Sequence, residues 1–316
     1  MKMSRGQTDS GTTDSAARGQ VEFQAQDGWD YRRHASGPRP GERGELRRLH
    51  SSVVGWLMRG RALGLVVLLI LTVSVLAYLP VPARAAPHCP QKVGASITLS
   101  QDCVGSMTIV KSGITLNCAG HTVSGSGAGS GIWLGRGIHD VTVKNCVVTQ
   151  FGHGFFLVGA SSNTLASNIA KNNALFGFFL YGSSSNTLTG NTATGNGENG
   201  FLLSPTMSSG SSSNTLTGNT AYGNGKNGFY LFSNVFSGSS SNTLTGNTAN
   251  RNANDGFFLD PGTSLNALAS NAANNNGGYG YEDLSSGSGT SHTANTYTSN
   301  TCSENFLGGS NPSGLC

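Results

Sequence analysis

The sequence predicts an all-β protein, a single-stranded right-handed parallel β-helix (solenoid) in which short strands stack coil upon coil. Two observations favour this fold class: the phrase Gly-Phe-x-Leu returns at regular intervals, and the phrase Ser-Asn-Thr-Leu recurs between its copies. Composition agrees with them. The 316 residues include 46 Gly and only 11% charged residues, yet aromatic residues recur at regular spacing, which disordered chains lack.

The first phrase has a period of 23 to 28 residues. It begins at Gly131, Gly154, Gly177, Gly200, Gly228, Gly256 and, in degraded form, Gly280. Each of the two longer periods adds five residues at one place, within 205–211 and 234–239. Insertions that are confined to one turn are typical of a solenoid. Phrases of three to five residues are too short for paired helices, so the repeat unit is built from strands.

Alternation along each strand predicts which side chains face the interior. The inward set contains two stacked columns, Phe155, Phe178, Phe201, Phe229, Phe257 and Leu157, Leu180, Leu203, Leu231, Leu259, together with Leu188, Leu216 and Leu244. The outward position between Phe and Leu forms an aromatic stripe, defined as Trp133, Phe156, Phe179, Leu202, Tyr230 and Phe258. A side-chain amide ladder at one turn is predicted for Asn168, Asn191, Asn219, Asn247 and Asn271.

These phrases resemble a known repeat. Asn-Thr-Leu-Thr-Gly-Asn-Thr-Ala, combined with Gly-Phe-x-Leu, is similar to the right-handed parallel β-helix repeat of NosD-like and pectin lyase-like proteins over roughly residues 89–300. Residues 114–123 resemble the opening coil of those families, and residues 140–146 resemble their first full coil. The resemblance implies the fold. It implies little about activity, because the repeat encodes stacking and function depends on residues grafted onto it.

The N-terminal 86 residues are predicted to direct export. Residues 1–57 are polar, which predicts a disordered tail that would not be translated if synthesis began at Met58. An apolar run at 62–79 is followed by Ala83-Arg84-Ala85, so residues 58–86 form either a signal peptide cleaved after Ala85 or a retained signal anchor with one hydrophobic helix. Both alternatives predict a secreted or cell-surface protein that contacts the membrane only through this segment. The rest divides into an N-terminal cap at 87–113, the β-helix at 114–300 and a C-terminal disulfide-bonded end at 301–316.

All six cysteines follow the apolar run. An even number of cysteines in an exported chain predicts disulfides, although sequence alone permits many pairings. We expect Cys89–Cys103 in the cap, Cys118–Cys146 between neighbouring coils and Cys302–Cys316 at the C-terminal end. No metal site is predicted, because the five His and two Met after the leader are scattered, and so the copper chemistry linked to NosD proteins is not carried over.

The charge balance argues against nucleic-acid binding. The formal net charge is +4, but the first 86 residues hold 12 Lys and Arg against 7 Asp and Glu. Residues 87–316 hold the other 7 basic and 8 acidic residues and therefore carry a net charge of −1. Such a body lacks the basic surface that neutralises phosphates, so no nucleic-acid partner is expected.

His153 lies in a Gly-His-Gly motif that resembles polygalacturonases, in which a histidine assists acid hydrolysis. Those enzymes also need Asn-Thr-Asp, Asp-Asp and Arg-x-Lys motifs, and this sequence has none of them in matching coils. A glycosidase requires two carboxylates that flank the bond. We therefore expect His153 to be an ordinary turn residue rather than a catalytic one.

A second candidate is the acidic cluster of Asp255, Asp260, Glu282 and Asp283 on two successive C-terminal coils. Close carboxylates can bind Ca²⁺, the one cofactor considered, or can serve a lyase or epimerase acting on uronates. The alternative is a solvated polar end that stops further coil stacking. The sequence favours the second interpretation, because no Lys or Arg base accompanies the cluster.

The leading functional prediction is non-catalytic binding of a carbohydrate or another cell-envelope partner along the aromatic stripe, with Trp133, Phe156, Phe179, Tyr230 and Phe258 as contact residues. Exposed rings in a row can stack on sugar rings. The opposing expectation is that the five-residue insertions fold over the stripe and cover it. A polysaccharide lyase or epimerase that acts on uronate polymers is the alternative function, with Asp260, Glu282 and Asp283 involved. A purely structural spacer is the third.

Overall fold

The computed structural model describes residues 86–316. The predicted tail and nearly all of the predicted signal segment lie outside these residues. Within the described part, no helix is long and apolar enough to cross a membrane. The fold is all-β apart from one 3₁₀ turn at Thr290–His292.

Twenty-eight short strands form three parallel sheets. The first sheet contains β1 (Lys92–Val93), β4 (Met107–Ile109), β7 (Ser130–Leu134), β10 (His153–Val158), β13 (Phe178–Tyr181), β16 (Phe201–Ser204), β19 (Phe229–Leu231), β22 (Phe257–Leu259), β25 (Tyr279–Asp283) and β28 (Gly308–Asn311). The second contains β2 (Ile97–Thr98), β5 (Thr115–Asn117), β8 (Thr142–Lys144), β11 (Thr164–Ala166), β14 (Thr187–Thr189), β17 (Thr215–Thr217), β20 (Thr243–Thr245), β23 (Ala267–Ala269) and β26 (Thr296–Thr298). The third contains β3 (Cys103–Val104), β6 (Thr122–Ser124), β9 (Val147–Thr149), β12 (Ile169–Lys171), β15 (Thr192–Thr194), β18 (Thr220–Tyr222), β21 (Thr248–Asn250), β24 (Ala272–Asn274) and β27 (Thr301–Ser303).

Each strand pairs in parallel with the strand three positions further along the chain, so the order of every sheet follows the order of the coils. The result is nine three-stranded coils followed by β28, and it confirms the predicted parallel solenoid. The segment set apart as an N-terminal cap carries β1 to β4, so it contains the first coil. The C-terminal segment from residue 301 carries β27 and β28.

The interior consists of like residues stacked on like. The five predicted Phe side chains are fully buried, and neighbouring rings are nearly parallel with centroids 4.6–4.7 Å apart. Tyr281 continues this column below Phe257, at 4.8 Å. The predicted inward Leu residues are all 0% exposed. These columns confirm the alternation that the sequence predicts.

Three asparagine ladders, one at each corner of the coil, hold the turns. The first joins Asn163, Asn186, Asn214, Asn242, Asn266 and Asn295; the second joins Asn168, Asn191, Asn219, Asn247, Asn271 and Asn300; the third joins Asn173, Asn196, Asn224, Asn252, Asn276 and Asn305. In each ladder the side-chain amide donates to the Oδ1 atom of the next Asn. The five residues expected to form a ladder all belong to the second.

Local backbone geometry explains why each ladder Asn follows Ser or Gly so often. The preceding residue turns the corner in the left-handed region: Ser167 has φ of 55°, and Gly190 has φ of 61°. Gly adopts this conformation without steric cost, and small polar residues adopt it at modest cost. The next residue then points inward, where its amide satisfies backbone groups of the neighbouring coils. The dipeptides Ser-Asn and Gly-Asn therefore mark the corners of the coil in the sequence.

Disulfides tie the two ends. Cys89 pairs with Cys103 and Cys118 with Cys146 near the N-terminus, and Cys302 pairs with Cys316 at the C-terminus. The three expected pairs are confirmed. The corner ladders begin only at Asn163, so the N-terminal coils are held by covalent bonds and apolar corners, and the later coils by amides.

Candidate functional site

The outward surface of the first sheet carries three columns of side chains, and the aromatic stripe is the middle one. Strand pairing aligns its members in neighbouring coils, from Trp133 through Phe156 and Phe179 to Phe258. Trp133 is 41% exposed and four other members are partly exposed, whereas Leu202 is buried. The stripe therefore faces outward at five of its six positions.

A second cluster of rings flanks the stripe on its N-terminal half. His153 and Phe176 occupy the column before it, and their rings stack with centroids 5.2 Å apart at an angle of 9°. Phe156 and Phe179 stack in the same way, at 4.8 Å and 17°. Stacked rings at this spacing cover one another's faces, so these four rings present mainly their edges to solvent.

Trp133 differs from the other rings because its indole lies over the backbone of the next outward residue. A Cβ atom at Gly135 would lie in ordinary van der Waals contact with Cζ2 of Trp133, at 3.6 Å, so the indole extends over this position. No ring stacking is seen between Trp133 and Phe156 within residues 86–316. Trp133 thus offers an exposed indole at the N-terminal end of the stripe, which suits a flat apolar ligand surface.

His153 is the first residue of β10, so the expectation that it lies in an ordinary turn is wrong. Its ring lies in the outward aromatic cluster, within 5.2 Å of Phe156 and 5.4 Å of Phe179, although strict alternation would place it on the inward side with Phe155. The alternation is broken at Gly154, where a Cβ atom would face the buried side chain of Ala170. Burial among these rings lowers the pKa of His153 to about 4. Its Nδ1 atom is buried and has no hydrogen-bond partner among the described residues. The imidazole is neutral near pH 7 and serves as one more ring of the surface.

The C-terminal half of the stripe ends in a tyrosine–aspartate pair. The hydroxyl group of Tyr230 donates to the carboxyl oxygens of Asp260 at 3.0 and 3.1 Å, and the backbone N–H of Ser233 donates to the same group. Burial, opposed by these hydrogen bonds, raises the pKa of Asp260, and burial beside Asp260 raises the pKa of Tyr230. Both polar groups are satisfied by each other, which is the mark of a structural pair.

The other acidic residues do not converge. Asp283 occupies the inward Leu column in register with Leu259, and it accepts hydrogen bonds from Ser285, Asn295 and Tyr297. Glu282 points outward and accepts a hydrogen bond from the side chain of Asn311 at 3.1 Å. Adjacent residues of one strand thus face opposite sides, and the structure does not bring the predicted acidic cluster together at one point.

Asp255 lies in the column before the stripe, beside Glu282. Burial raises the pKa of Asp255 to about 6, although a hydrogen bond from the backbone N–H of Tyr279 opposes this, and the charge of Glu282 raises it further. Arg251 follows β21 at a corner of the third sheet and donates a hydrogen bond to the hydroxyl of Tyr222. The carboxyl groups therefore have no cationic neighbour on their own surface.

The five-residue insertions do not cover the stripe. At the tip of the second insertion, Val235 and Phe236 are 91% and 72% exposed. The two insertions contact each other instead: Asn234 and Ser237 both donate to the backbone oxygen of Thr206. They form a ridge beside the sheet. The expectation that these loops close over the aromatic rings is wrong for the residues described.

A depression away from the stripe measures about 560 Å³ and sits at the corner between the third and first sheets, against Phe151 and Gln150. A smaller one of about 240 Å³ adjoins it. Their walls hold Gly, Ser, Ala, Val, Asn, Gln and Phe but no titratable side chain. Neither depression offers groups for catalysis.

No metal-binding set is present in the described part of the chain. Residues 86–316 contain no group of three or more His, Cys, Asp or Glu side chains able to hold an ion. All six cysteines are paired, so none is available as a thiolate ligand. His139 and His121 each contact a single aspartate. These donors do not fit a copper site, which needs several soft or imidazole ligands together.

The three-sided parallel coil defines the chain as a right-handed β-helix repeat protein. A sequence profile described as right handed beta helix region matches residues 206–301. A second profile, described as periplasmic copper-binding protein (NosD), matches residues 92–236. The chain is thus similar to NosD over less than half of its length. No curated protein matches the sequence.

Three solved structures show similarity to this fold at low sequence identity. The A-module of a mannuronan C-5 epimerase from Azotobacter vinelandii is 16% identical, with a TM-score of 0.48 over 69% of this chain and 88% of that one. The periplasmic alginate epimerase AlgG is 15% identical, with a TM-score of 0.44 over 66% and 61%. The catalytic domain of an α-1,3-glucanase in complex with nigerose is 15% identical, with a TM-score of 0.31 over 71% and 61%. At these identities and scores the similarity says nothing about activity.

Proposed function

We propose that this is an exported, non-catalytic protein that binds carbohydrate along the aromatic stripe. The observation that carries the proposal is the row of outward rings, led by the exposed indole of Trp133, on a sheet with no converging acid and base. Sugar rings offer apolar faces that suit an indole, and their hydroxyl oxygens suit the partly positive edges of the stacked phenyl rings. The ridge of Ser and Thr residues beside the stripe adds hydrogen-bonding groups.

Export is supported by three features. The leader pattern predicts it, the disulfides require an oxidising compartment, and the matched NosD profile is described as periplasmic. Export leads to secretion, to display at the cell surface or to retention by a membrane anchor. Cleavage or retention of residues 58–86 determines which of these applies.

A uronate lyase or epimerase is the weaker alternative. Such chemistry needs a base beside the α-carbon and a group that neutralises the uronate carboxylate. On the described surface, Asp260 is bonded to Tyr230, Asp283 points inward, and no Lys or Arg lies beside them. A purely structural spacer would not need a row of exposed rings, which are costly on a solitary soluble surface.

The proposal is tested by mixing the exported chain with a panel of neutral and uronate polysaccharides, with and without Ca²⁺, while binding and unsaturated-product absorbance are followed together. We expect binding without turnover. Trp133→Ala and Phe179→Ala should each weaken it at least tenfold. Tyr222→Ala is the matched control, because Tyr222 is also 41% exposed but lies on the third sheet.

Three results would contradict the proposal. Turnover of any uronate polymer would favour the lyase or epimerase. Equal loss of binding in the Tyr222→Ala control would show that the stripe is not the contact surface. Absence of binding across the whole panel would favour the spacer.

A further inference from the structure

The middle column of the first sheet begins at a lysine and carries a glutamate one position before its last member, Asn311. Strand pairing continues it from the stripe to Lys92 in the first coil, through Thr108, and to Glu282 in the ninth. Lys92 is exposed and Glu282 is partly exposed. The column therefore runs from a cation, through the aromatic stripe, to a carboxylate.

Neighbouring positions reinforce this polarity. Lys111 and Arg136 are exposed at the end of the sheet that holds Lys92, whereas Asp255 and Asp260, both buried beneath the surface, lie near Glu282. Within residues 86–316 none of the three cations forms an ion pair. Like charges gathered at each end of one face repel one another unless something of opposite sign covers them.

We infer that a second copy of this chain packs antiparallel on the aromatic stripe, with Phe179 at the two-fold axis. Lys92 lies four coils before Phe179 and Glu282 lies four coils after it, so each copy sets its lysine against the partner's glutamate. Trp133 and Tyr230 are each two coils from Phe179 and also face each other. Such a surface is self-complementary, which is what an isologous two-fold interface requires.

The size and shape of the face agree with a stable pair. From Lys92 to Glu282 it is about 38 Å long, at about 4.8 Å a coil, and about 17 Å wide. That is roughly 650 Å² per copy, within the range of about 600–1,000 Å² per partner for specific interfaces. The insertion ridge lies one and two coils after Phe179, and the turns one and two coils before it are short and contain Gly159 and Gly137. The ridge of one copy thus faces the short turns of the other, where Val235 and Phe236 become covered.

Self-association would regulate the site, and this part rests on the proposed carbohydrate binding. The second copy and the carbohydrate use the same rings, so each excludes the other. The pairing itself does not depend on any carbohydrate.

Cross-linking of the full chain tests the pairing. Tyr181 lies in the coil of Phe179, on the outward surface, so a Tyr181→Cys thiol meets its own copy at the axis. Mild oxidation should give a covalent dimer on non-reducing gels. Thr217→Cys, on the second sheet, should give at least tenfold less. Added to Tyr181→Cys, Lys92→Glu or Glu282→Lys alone should lower the dimer yield at least fivefold, and the two reversals together should restore it to within twofold.

Each outcome decides the matter. Thermal unfolding of every variant shows whether a lost dimer reflects a lost fold, and the double reversal must recover the dimer in any case. Equal cross-linking at Thr217→Cys, insensitivity to both single reversals, or failure of the double reversal overturns the pairing. Carbohydrate binding without any dimer overturns the pairing and leaves the proposed function standing. A dimer without carbohydrate binding supports the pairing and overturns the proposed function.

Discussion

Asp255 replaces an amide in a short fourth stack of side chains. Oδ1 of Asn199 accepts from the backbone N–H of Asn227, and Oδ1 of Asn227 accepts from the N–H of Asp255. Asp255 then accepts from Tyr279 at 2.6 Å. The position needs only an acceptor, so the negative charge adds a burial cost and no additional bond.

Asp255→Asn should therefore stabilise the protein at pH 7. The pKa of Asp255 is about 6 in the folded chain, above its ordinary value of 3.8. The folded state holds the proton more tightly, so stability falls as pH rises from about 4 to 6 and stays lower above that window. The substitution should gain on the order of 2 kcal/mol at pH 7 and almost nothing at pH 3.5.

Urea unfolding of both proteins at pH 3.5 and pH 7 measures this difference. Glu282→Gln provides a comparison, because it removes a neighbouring charge and leaves the buried carboxyl in place, so it should give a smaller gain. A loss of stability in Asp255→Asn at pH 7 would contradict the argument.

At the scale of the element, the corner ladders satisfy every polar atom that they bury. In the second ladder, Nδ2 of Asn219 donates to the backbone oxygen of Leu188 at 2.9 Å and to Oδ1 of Asn247 at 3.0 Å. Its Oδ1 accepts from the backbone N–H and the side chain of Asn191. One side-chain amide thus satisfies polar groups in three successive coils, which would otherwise need water molecules as hydrogen-bond partners.

Replacing Asn219 should be costly in a graded way. Asn219→Ala leaves several buried groups without partners. Each buried group that loses its hydrogen bond costs about 1–3 kcal/mol of stability. Asn219→Asp keeps the shape but exchanges two donors for acceptors, so we expect it to be at least as harmful at pH 7. Urea unfolding measures both, and Thr217→Ala, an outward residue of the same coil, should change stability by less than about 0.5 kcal/mol.

The phenylalanine column is a second element with a direct test. Phe201 is fully buried between Phe178 and Phe229, at 4.7 and 4.6 Å. Phe201→Ala should cost about 3–5 kcal/mol, because neighbouring coils fixed by ladders cannot collapse into the cavity. Phe201→Leu refills much of that space and should cost less. If the two substitutions destabilise the chain equally in urea unfolding, the stacking argument fails.

Periodicity was enough to predict the solenoid, its inward columns and one ladder, because these depend only on spacing. The degraded repeat at Gly280 could also have predicted that the acidic cluster is split. Asp283 occupies the position of the inward Leu, so strand alternation places it on the opposite side from Glu282. Other features depend on three-dimensional packing that spacing does not encode. These include the outward ring of His153, the direction of the insertions, and the two further ladders formed by Asn163 and Asn173 with their counterparts.

At the scale of the whole molecule, the ninth coil differs from those before it because it is partly polar inside. Asp283 takes the place of a Leu and accepts hydrogen bonds from four donors, including the hydroxyl of Tyr297 and the side chain of Asn295. Asn295 is the last residue of the first ladder. A coil with this interior offers no apolar platform for another, which is the role of a terminal cap in repeat proteins.

Asp283→Leu should lower stability even though it extends the apolar column. It strips acceptors from Tyr297 and Asn295, both buried, at a combined cost of about 2–5 kcal/mol. It also leaves an apolar end, so we expect concentration-dependent aggregation by light scattering. Asp283→Asn keeps one acceptor oxygen, so its stability in unfolding experiments should lie between that of the unsubstituted protein and that of Asp283→Leu. A stable, monodisperse Asp283→Leu protein would contradict the capping role.

The direction of the ladders gives the molecule a further property. Every Asn-to-Asn hydrogen bond of the three ladders runs in the same direction, from Nδ2 in one coil to Oδ1 in the next, so the side-chain amides share one polarity along the axis. Aligned dipoles add, as peptide dipoles do in an α-helix, and hydrogen-bonded chains polarise one another. The positive pole of the first row lies at Asn295, where the carboxylate of Asp283 receives it. The ladders therefore give the solenoid a polarity made from neutral residues, and the side chain of Asp283 accepts a hydrogen bond at the donor end of the first ladder.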